Sequence, residues 1–190
     1  MLPSIRLFIL GLALAGGPLH TAKPASPAAV AEGKAAFLEA CKVFMHPRCL
    51  NCHPDGNRPL QGEDSHPHSQ NVLRGPAGEG VGALKCKNCH QATNLPGRGM
   101  PPGNPKWRLP PPEMPMVFQG RSPAALARQL KTPAQNGGRS LAQVVHHVAE
   151  DSLVTGGWNP GEGRPVPPIP QKEFARLLKR WVEAGAPIPD

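Results

Sequence analysis

Apolar residues recur at helical spacing in four segments of the chain, and this pattern predicts four α-helices. The predicted helices cover residues 28–45, 122–131, 140–150 and 171–184. The last is the clearest, because apolar side chains line one face while Lys and Arg line the other. Gly185 and Pro187 follow it and favour its termination. Cys41 falls on the apolar stripe of the first predicted helix, so we expect a buried thiol that behaves as a small hydrophobic residue.

Long segments rich in proline and glycine separate these helices. We call residues 55–82 the first loop and residues 95–120 the second loop, and neither shows a convincing strand pattern. With 26 Pro, 21 Gly and no Tyr among 190 residues, the chain has few large side chains to fill a core. Such segments are either disordered or ordered around something other than protein. The sequence therefore predicts an all-α fold with long irregular loops and room for a large apolar cofactor.

The first 22 residues predict a secretory signal peptide, with cleavage near residues 22–25. Arg6 supplies its positive charge, and a short apolar run follows at residues 7–15. That run is shorter than the roughly 18 apolar residues that a membrane-spanning helix needs, although an uncleaved anchor is the alternative. No other segment is apolar enough to span a bilayer. We expect an exported, periplasmic protein in which residues 26–190 fold as a single compact domain.

The chain is basic, with 21 Lys and Arg against 13 Asp and Glu and a net charge of +8. Removal of Arg6 with the signal peptide leaves 20 basic and 13 acidic residues, a net charge of +7. These charges are scattered and form no run of five or more, which disfavours nucleic-acid binding. A mildly basic surface instead suits an acidic protein partner or an anionic membrane surface, toward which electrostatic attraction steers it.

Two copies of a C-x-x-C-H motif carry the chemistry that the sequence indicates. The first motif is C-L-N-C-H at residues 49–53, and the second motif is C-K-N-C-H at residues 86–90. Two thiols three positions apart reach the two vinyl groups of one porphyrin, and the adjacent His reaches its iron. The motifs therefore predict two covalently bound haem c groups. The predicted attachment residues are Cys49, Cys52, Cys86 and Cys89, and the predicted proximal iron ligands are His53 and His90.

Three other functions of paired cysteines compete with haem attachment. Structural zinc sites also use Cys pairs, but zinc does not require a His directly after each pair. Disulfides suit an oxidising compartment, yet they leave both histidines unexplained. A thioredoxin-like redox pair needs a βαβ context, which the sequence lacks. The two Cys pairs are separated by 33 residues, too few to hold a complete single-haem domain. We therefore expect one unit with two neighbouring haems.

A low-spin haem iron needs a sixth ligand, usually Met or His, and the sequence offers several. His68 lies in the first loop, and Met100 lies in a stiff turn of the second loop, which also contains Met114 and Met116. In the predicted helix at residues 140–150, His147 lies closer to the apolar stripe than its neighbour His146 does. The further candidates are His46 and His66. We expect His68 on the first iron and a Met of the second loop on the second iron, because each loop then closes over the haem attached just before it. His147 is the alternative ligand for either iron.

The chain resembles bacterial class I-like di-haem cytochromes c. A G-x-x-x-F segment at residues 33–37 is similar to the N-terminal helix of those domains, and R-W-V-E-A-G-A-P at residues 180–187 is similar to their closing helix. The wider pattern, including N-V-L-R-G at residues 71–75 and M-P-P-G at residues 100–103, is similar to cytochromes described as a subunit of isoquinoline 1-oxidoreductase. The resemblance implies cytochrome c-like helices and Pro/Gly-rich loops around two covalently bound haems. Related domains carry Met-Pro-Pro before the closing helix, whereas this chain has Val166 in place of that Met.

These features favour electron transfer in the periplasm as the function. The expected role is that of an electron carrier, or a cytochrome subunit of an oxidoreductase, that accepts electrons from a dehydrogenase partner. The absence of a Met before Pro167 keeps a second hypothesis open, a di-haem peroxidase-like enzyme with one open iron site. A haem-containing sensing or docking module is a third hypothesis, although the sequence offers no output domain.

Overall fold

The computed structural model describes residues 25–190, and helices form most of the regular structure in that range. The predicted signal peptide, residues 1–22, lies outside the described residues. The α-helices are α1 Pro27–Phe44, α2 Pro47–Leu50, α3 Pro123–Lys131, α4 Leu141–Glu150, α5 Ser152–Thr155 and α6 Gln171–Glu183. Three short 3-10 helices cover Cys86–Asn88, Pro133–Gln135 and Gly156–Trp158.

Serine caps fix the beginnings of three of the four helices that the sequence predicts. Ser26, Ser122 and Ser140 each accept a hydrogen bond from a backbone N–H in the first turn of α1, α3 and α4. Proline occupies the first turn of α1 and α3, where its missing N–H costs nothing. All four predicted helices are present with ends within about a residue of the expected positions. The sequence missed α2 and α5, because four residues are too few to show helical periodicity.

Two small β-hairpins interrupt the loops between the helices. Strands β1 (Leu60–Gln61) and β2 (His66–Pro67) pair antiparallel, as do β3 (Gly80–Val81) and β4 (Leu84–Lys85). The expectation that the loops contain no strands is wrong in this detail. Strands of two residues cannot show the alternation that identifies a strand in a sequence. Gly80 has a φ of +87°, and a Cβ there would lie 2.2 Å from the carbonyl oxygen of Leu84, so the second hairpin requires glycine.

The first and last helices pack directly against each other. The rings of Phe37 and Trp181 lie 4.5 Å apart between centroids in a tilted contact. A Cβ at Gly33 would lie only 2.5 Å from the Cβ of Ala184, so this glycine lets α1 approach the end of α6 closely. The indole N–H of Trp181 donates to the carbonyl of Pro187 at 2.9 Å, which holds the chain after α6 against the core.

The hydrophobic core also takes side chains from α3, α4 and the end of the second loop. Cys41 is buried in it, as the sequence predicts, and burial raises the pKa of its thiol to about 12. Within residues 25–190, no helix combines the length and the apolar character needed to cross a membrane. The buried core residues beyond those named are Ala36, Ala40, Val43, Phe44, Phe118, Leu126, Ala127, Leu130, Val144, Val148, Ile169, Phe174, Leu177, Leu178 and Ala186.

Candidate functional site

The first motif begins on the short helix α2 and ends just after it. The Nδ1 of His46 caps this helix by accepting a hydrogen bond from the backbone N–H of Arg48 at 3.3 Å. Burial raises the pKa of Cys49 to about 12 and that of Cys52 to about 11. Both thiols are therefore protonated at neutral pH, unlike the thiolate that a thioredoxin-like pair uses.

The second motif follows β4 and lies closer to the protein surface. Its first residues form a 3-10 helix, and the backbone N–H of His90 donates to the carbonyl of Cys86 at 2.9 Å. Cys86 is buried, whereas Cys89 is exposed. All five cysteines of the chain are free thiols.

His53, the last residue of the first motif, has a fixed ring orientation. Its Nδ1 lies 2.6 Å from the carbonyl oxygen of Met116, and because a carbonyl only accepts, this ring nitrogen is the donor. The ring stacks on Phe118 with centroids 3.9 Å apart and an interplanar angle of 17°. The backbone N–H groups of Phe118 and Gln119 donate in turn to the carbonyl of His53. The imidazole is thus held on one edge and one face.

His90, the last residue of the second motif, is held in the same way. Its Nδ1 donates to the carbonyl oxygen of Pro102 at 2.8 Å. Its ring stacks on Trp107 with centroids 4.0 Å apart and an interplanar angle of 8°. The carbonyl and the aromatic ring come from different residues at the two motifs, but the arrangement around the imidazole is the same.

This arrangement prepares both histidines to bind a metal through Nε2. A donor at Nδ1 fixes the tautomer in which Nε2 carries the free lone pair, and ligating histidines almost always donate their other nitrogen in this way. Burial lowers the pKa of His53 to about 4 and also lowers that of His90, in each case against the opposing effect of the carbonyl hydrogen bond. Both rings are therefore neutral near pH 7 and available as ligands.

The second loop supplies the supporting groups at both motifs. Its earlier part carries Pro102 and Trp107 to His90, and its later part carries Met116 and Phe118 to His53. The second loop therefore contacts both motifs and not only the one that precedes it. These carbonyls and aromatic rings were not predicted from the sequence. The sequence did contain one indication of the aromatic rings. Trp107 and Phe118, two of only eight Phe and Trp residues in the chain, lie in this loop.

His68, a predicted distal ligand, lies in the first loop directly after β2. Its side chain is half-buried, and its Nδ1 is fully buried without a hydrogen-bond partner. Burial also lowers its pKa, which favours the neutral ring. By contrast, its neighbour His66 is exposed, and its Nδ1 lies 2.6 Å from a carboxylate oxygen of Asp64. At His68, a hydrogen bond with the side chain of Gln70 opposes the effect of burial on the pKa of the ring.

His147, the other predicted histidine ligand, lies on α4. It is half-buried and its neighbour His146 is exposed, as the helical pattern predicts. Its Nδ1 lies 3.7 Å from a carboxylate oxygen of Asp151, one helical turn further along. Burial is the main cause that lowers its pKa, and Arg139 adds to this effect. His147 also borders an open cleft of about 440 Å³ that Lys106 and Arg139 line.

The methionines of the second loop differ in their exposure. Met100 is 38% exposed, while Met114 and Met116 are half-buried. Met116 has a positive φ of 46°, which orients the carbonyl that His53 contacts within an unusual turn. Val166, in the position where related domains carry Met, is 49% exposed.

Arg74 joins the two loops from a buried position. Its side chain is only 1% exposed, and its guanidinium donates to the carbonyls of Pro110 at 2.6 Å and Gly56 at 2.7 Å. Its Nε is buried without a partner, and within residues 25–190 no carboxylate forms an ion pair with it. A buried cation normally has an anionic partner. Arg74 also lies close enough to His53 to lower its pKa further.

The described part of the chain assembles no conventional zinc site. In residues 25–190, no three His, Cys, Asp or Glu side chains gather closely enough to hold a metal ion by themselves. A structural zinc site needs four such ligands in a tetrahedron. A haem iron needs only axial ligands, because the porphyrin supplies the other four. The donor set at each motif, two thiols and one oriented imidazole, fits haem attachment.

Comparisons of the chain with protein-family models, with curated proteins and with solved structures find no match. The chemistry of the two motifs is therefore inferred from their own residues and geometry.

Proposed function

We propose that this chain binds two haem c groups covalently, one at each C-x-x-C-H motif, and transfers electrons between redox proteins in the periplasm. One observation carries the proposal. Both motif histidines donate Nδ1 to a backbone carbonyl and stack on an aromatic ring, which leaves Nε2 free at both motifs. Different segments of backbone produce this arrangement at the two motifs. Coordination of iron by both histidines explains why the arrangement occurs twice.

Each residue type has its own task in this function. The haem iron supplies reversible one-electron chemistry when it is bound. The four motif cysteines hold the porphyrins through thioether bonds, so that an exported protein does not lose its cofactor. His53 and His90 bind iron through Nε2, and their carbonyl partners make them more basic ligands. Phe118 and Trp107 exclude water from one face of each imidazole and stop it rotating.

Haem counting tests this proposal directly. The mature protein, exported with its maturation machinery, is examined by the pyridine haemochrome assay and by intact mass spectrometry. We expect two covalent haems in the parent protein and one in the Cys86→Ala/Cys89→Ala variant. Cys41→Ala is the matched control, since Cys41 is a buried free thiol outside both motifs, and it keeps two haems. A parent protein that carries no covalent haem overturns the proposal.

We further propose that an acidic redox protein is the partner and that it docks near the second motif. Lys85 and Lys87 are exposed on either side of Cys86, and Cys89 is exposed as well. At the first motif both cysteines are half-buried, and Arg48, which precedes Cys49, is buried in an ion pair with Glu63. Exposed lysines beside the haem at the second motif would steer an acidic partner to that haem. The partner would then dock where the distance for electron transfer to a haem is shorter.

A further inference from the structure

We propose that Asn94 is a positioning residue for the haem at the second motif, and that it lowers the reduction potential of that haem. This role rests on the proposed function and concerns the regulation of the same site. Asn94 acts through a single peptide group, the one that joins Pro102 to Gly103, and this group carries its effect to the imidazole of His90.

The peptide group between Pro102 and Gly103 is hydrogen-bonded at both ends. Its carbonyl oxygen belongs to Pro102 and accepts a hydrogen bond from Nδ1 of His90 at 2.8 Å. Its N–H belongs to Gly103 and donates to Oδ1 of Asn94 at 2.7 Å. Two such bonds strengthen each other, because each polarises the amide group in the same direction. Asn94 therefore makes the carbonyl a better acceptor for the His90 ring.

The side-chain amide of Asn94 is held in the orientation that this contact needs. Its Nδ2 donates to the backbone carbonyl of Asn159 at 2.9 Å, which leaves Oδ1 to accept from Gly103. Asn159 directly follows Trp158, whose indole N–H donates to the carbonyl of Ile169 at 2.8 Å. Ile169 is part of the hydrophobic core. The amide is thus tied to the most firmly packed part of the protein.

A close approach of two backbone segments places the peptide group beside this asparagine. A Cβ at Gly103 would lie 2.1 Å from the carbonyl carbon and oxygen of Thr93, so only glycine allows the approach. One residue further along, the backbone N–H of Asn104 donates to the carbonyl of Gln91 at 2.8 Å. The segments are therefore joined on both sides of the peptide group. Its N–H is kept toward the asparagine and its carbonyl toward the imidazole.

A stronger acceptor at Nδ1 lowers the reduction potential of an iron that Nε2 binds. The acceptor draws the Nδ1 proton away from the ring, and the imidazole becomes a more basic and more electron-donating ligand. Electron donation stabilises ferric iron more than ferrous iron, because the ferric ion carries the additional positive charge. The carbonyl that His53 contacts belongs to a different peptide group, between Met116 and Val117. The contact from Asn94 therefore tunes the second haem.

Two substitutions with opposite expected effects test this role in the mature two-haem protein. Asn94→Leu keeps the shape of the side chain but removes the acceptor of the Gly103 N–H, so the reduction potential of the second haem should rise. Asn94→Asp offers a carboxylate, which accepts more strongly than an amide, so that potential should fall. Spectroelectrochemical titration measures both haems. The component that is absent from Cys86→Ala/Cys89→Ala identifies the second haem, and the other component should stay at its parent value.

Asn136 provides a matched control, because its side chain makes the same kinds of hydrogen bond elsewhere. Its Oδ1 accepts from the backbone N–H of Arg139 at 2.8 Å, and its Nδ2 donates to the carbonyl of Leu130 at 2.7 Å. Asn136→Leu should lower the stability of the protein and leave both reduction potentials unchanged. Amide hydrogen exchange at Gly103, followed by NMR, should be several-fold faster in Asn94→Leu than in the parent, and unchanged in Asn136→Leu.

The outcomes separate this role from the proposed function. A second-haem potential that falls or stays unchanged in Asn94→Leu overturns the role of Asn94, while two covalent haems in the same sample leave the proposed function standing. If Asn94→Leu does not fold, Asn94→Asp decides, and a second-haem potential at or above the parent value overturns the role. A parent protein without covalent haem overturns the proposed function, and the role of Asn94 falls with it.

Discussion

His53 Nδ1 and the carbonyl oxygen of Met116 meet at 2.6 Å across 63 residues of sequence. This contact draws the end of the second loop onto the first motif, and Phe118, two residues later, covers the face of the same imidazole. Phe118 also packs edge-on against Phe44 of α1 with centroids 5.2 Å apart. The side chain that orients a predicted iron ligand is therefore part of the hydrophobic core, so ligand geometry and folding stability are coupled at this point.

Phe118→Ala should destabilise the protein by about 3–5 kcal/mol, because it removes a buried aromatic side chain and leaves a cavity. The comparison is Trp107→Ala, which removes the equivalent stacking partner at His90 from a half-buried position. We expect the Trp107 variant to lose less stability, since less of that side chain leaves water on folding. Urea denaturation followed by circular dichroism measures both. Equal losses in the two variants would contradict this coupling of the first motif to the core.

Gly33→Ala should separate α1 from the end of α6. The new Cβ would lie 2.5 Å from Ala184, so one helix must shift, and overpacking of this kind costs about 1–3 kcal/mol. The higher helix propensity of Ala returns at most about 1 kcal/mol. Gly157→Ala is the control, because its Cβ would meet its nearest neighbour, Arg48, at an ordinary 3.8 Å. A lower urea midpoint for Gly33→Ala than for Gly157→Ala is expected, and the reverse order would refute the close approach of these helices.

Cys41 should make stability fall at alkaline pH. Burial raises the pKa of this thiol from 9.0 to about 12 in the folded protein, so the unfolded chain releases its proton first. The contribution of the neutral thiol is fully present below pH 9.0 and is lost as pH rises toward about 12. Each pH unit in that window costs about 1.4 kcal/mol. Urea midpoints at pH 8 and pH 10 should differ more for the parent than for Cys41→Ala. An identical pH dependence in both would show that the thiol ionises as easily in the folded state.

The helices of this protein could be predicted from the sequence because their signals are local. Ser26, Ser122 and Ser140 cap helices within a few residues, and the apolar stripe of α6 needs no knowledge of its partner. The cysteines and histidines of the two motifs could likewise be singled out, since five adjacent residues carry the pattern. What each motif residue touches could not be predicted in this way.

The supporting groups at the motifs depend on contacts between irregular segments. The partner of His53 is a backbone carbonyl in the second loop, and a carbonyl has no residue type by which to recognise it. Loop-closure entropy favours short loops, and that argument alone assigned the second loop to the second motif. The free energy from burying Phe118 in the core outweighs the small extra entropy cost of the longer closure. Tertiary packing thus brings the end of the second loop to the first motif, a contact that sequence distance alone does not predict.

Charge reversal beside the second motif should slow electron exchange with anionic reagents. Lys85 and Lys87 are exposed and flank Cys86, so Lys85→Glu/Lys87→Glu replaces a positive local potential by a negative one. The matched control is Lys172→Glu/Lys179→Glu, which changes the net charge equally on exposed positions of α6.

With hexacyanoferrate as the anionic oxidant, the Lys85/Lys87 variant should react several-fold more slowly than the control at low ionic strength, because steering depends on charge near the reacting group. With the cationic hexaammineruthenium complex the order should reverse. Both differences should shrink at 1 M salt, where the screening length falls to about 3 Å. Stopped-flow absorbance at the haem Soret band measures each rate. Equal rates for the two variants with both reagents would show that electrons leave elsewhere on the surface, and the docking proposal at Lys85 and Lys87 would fail.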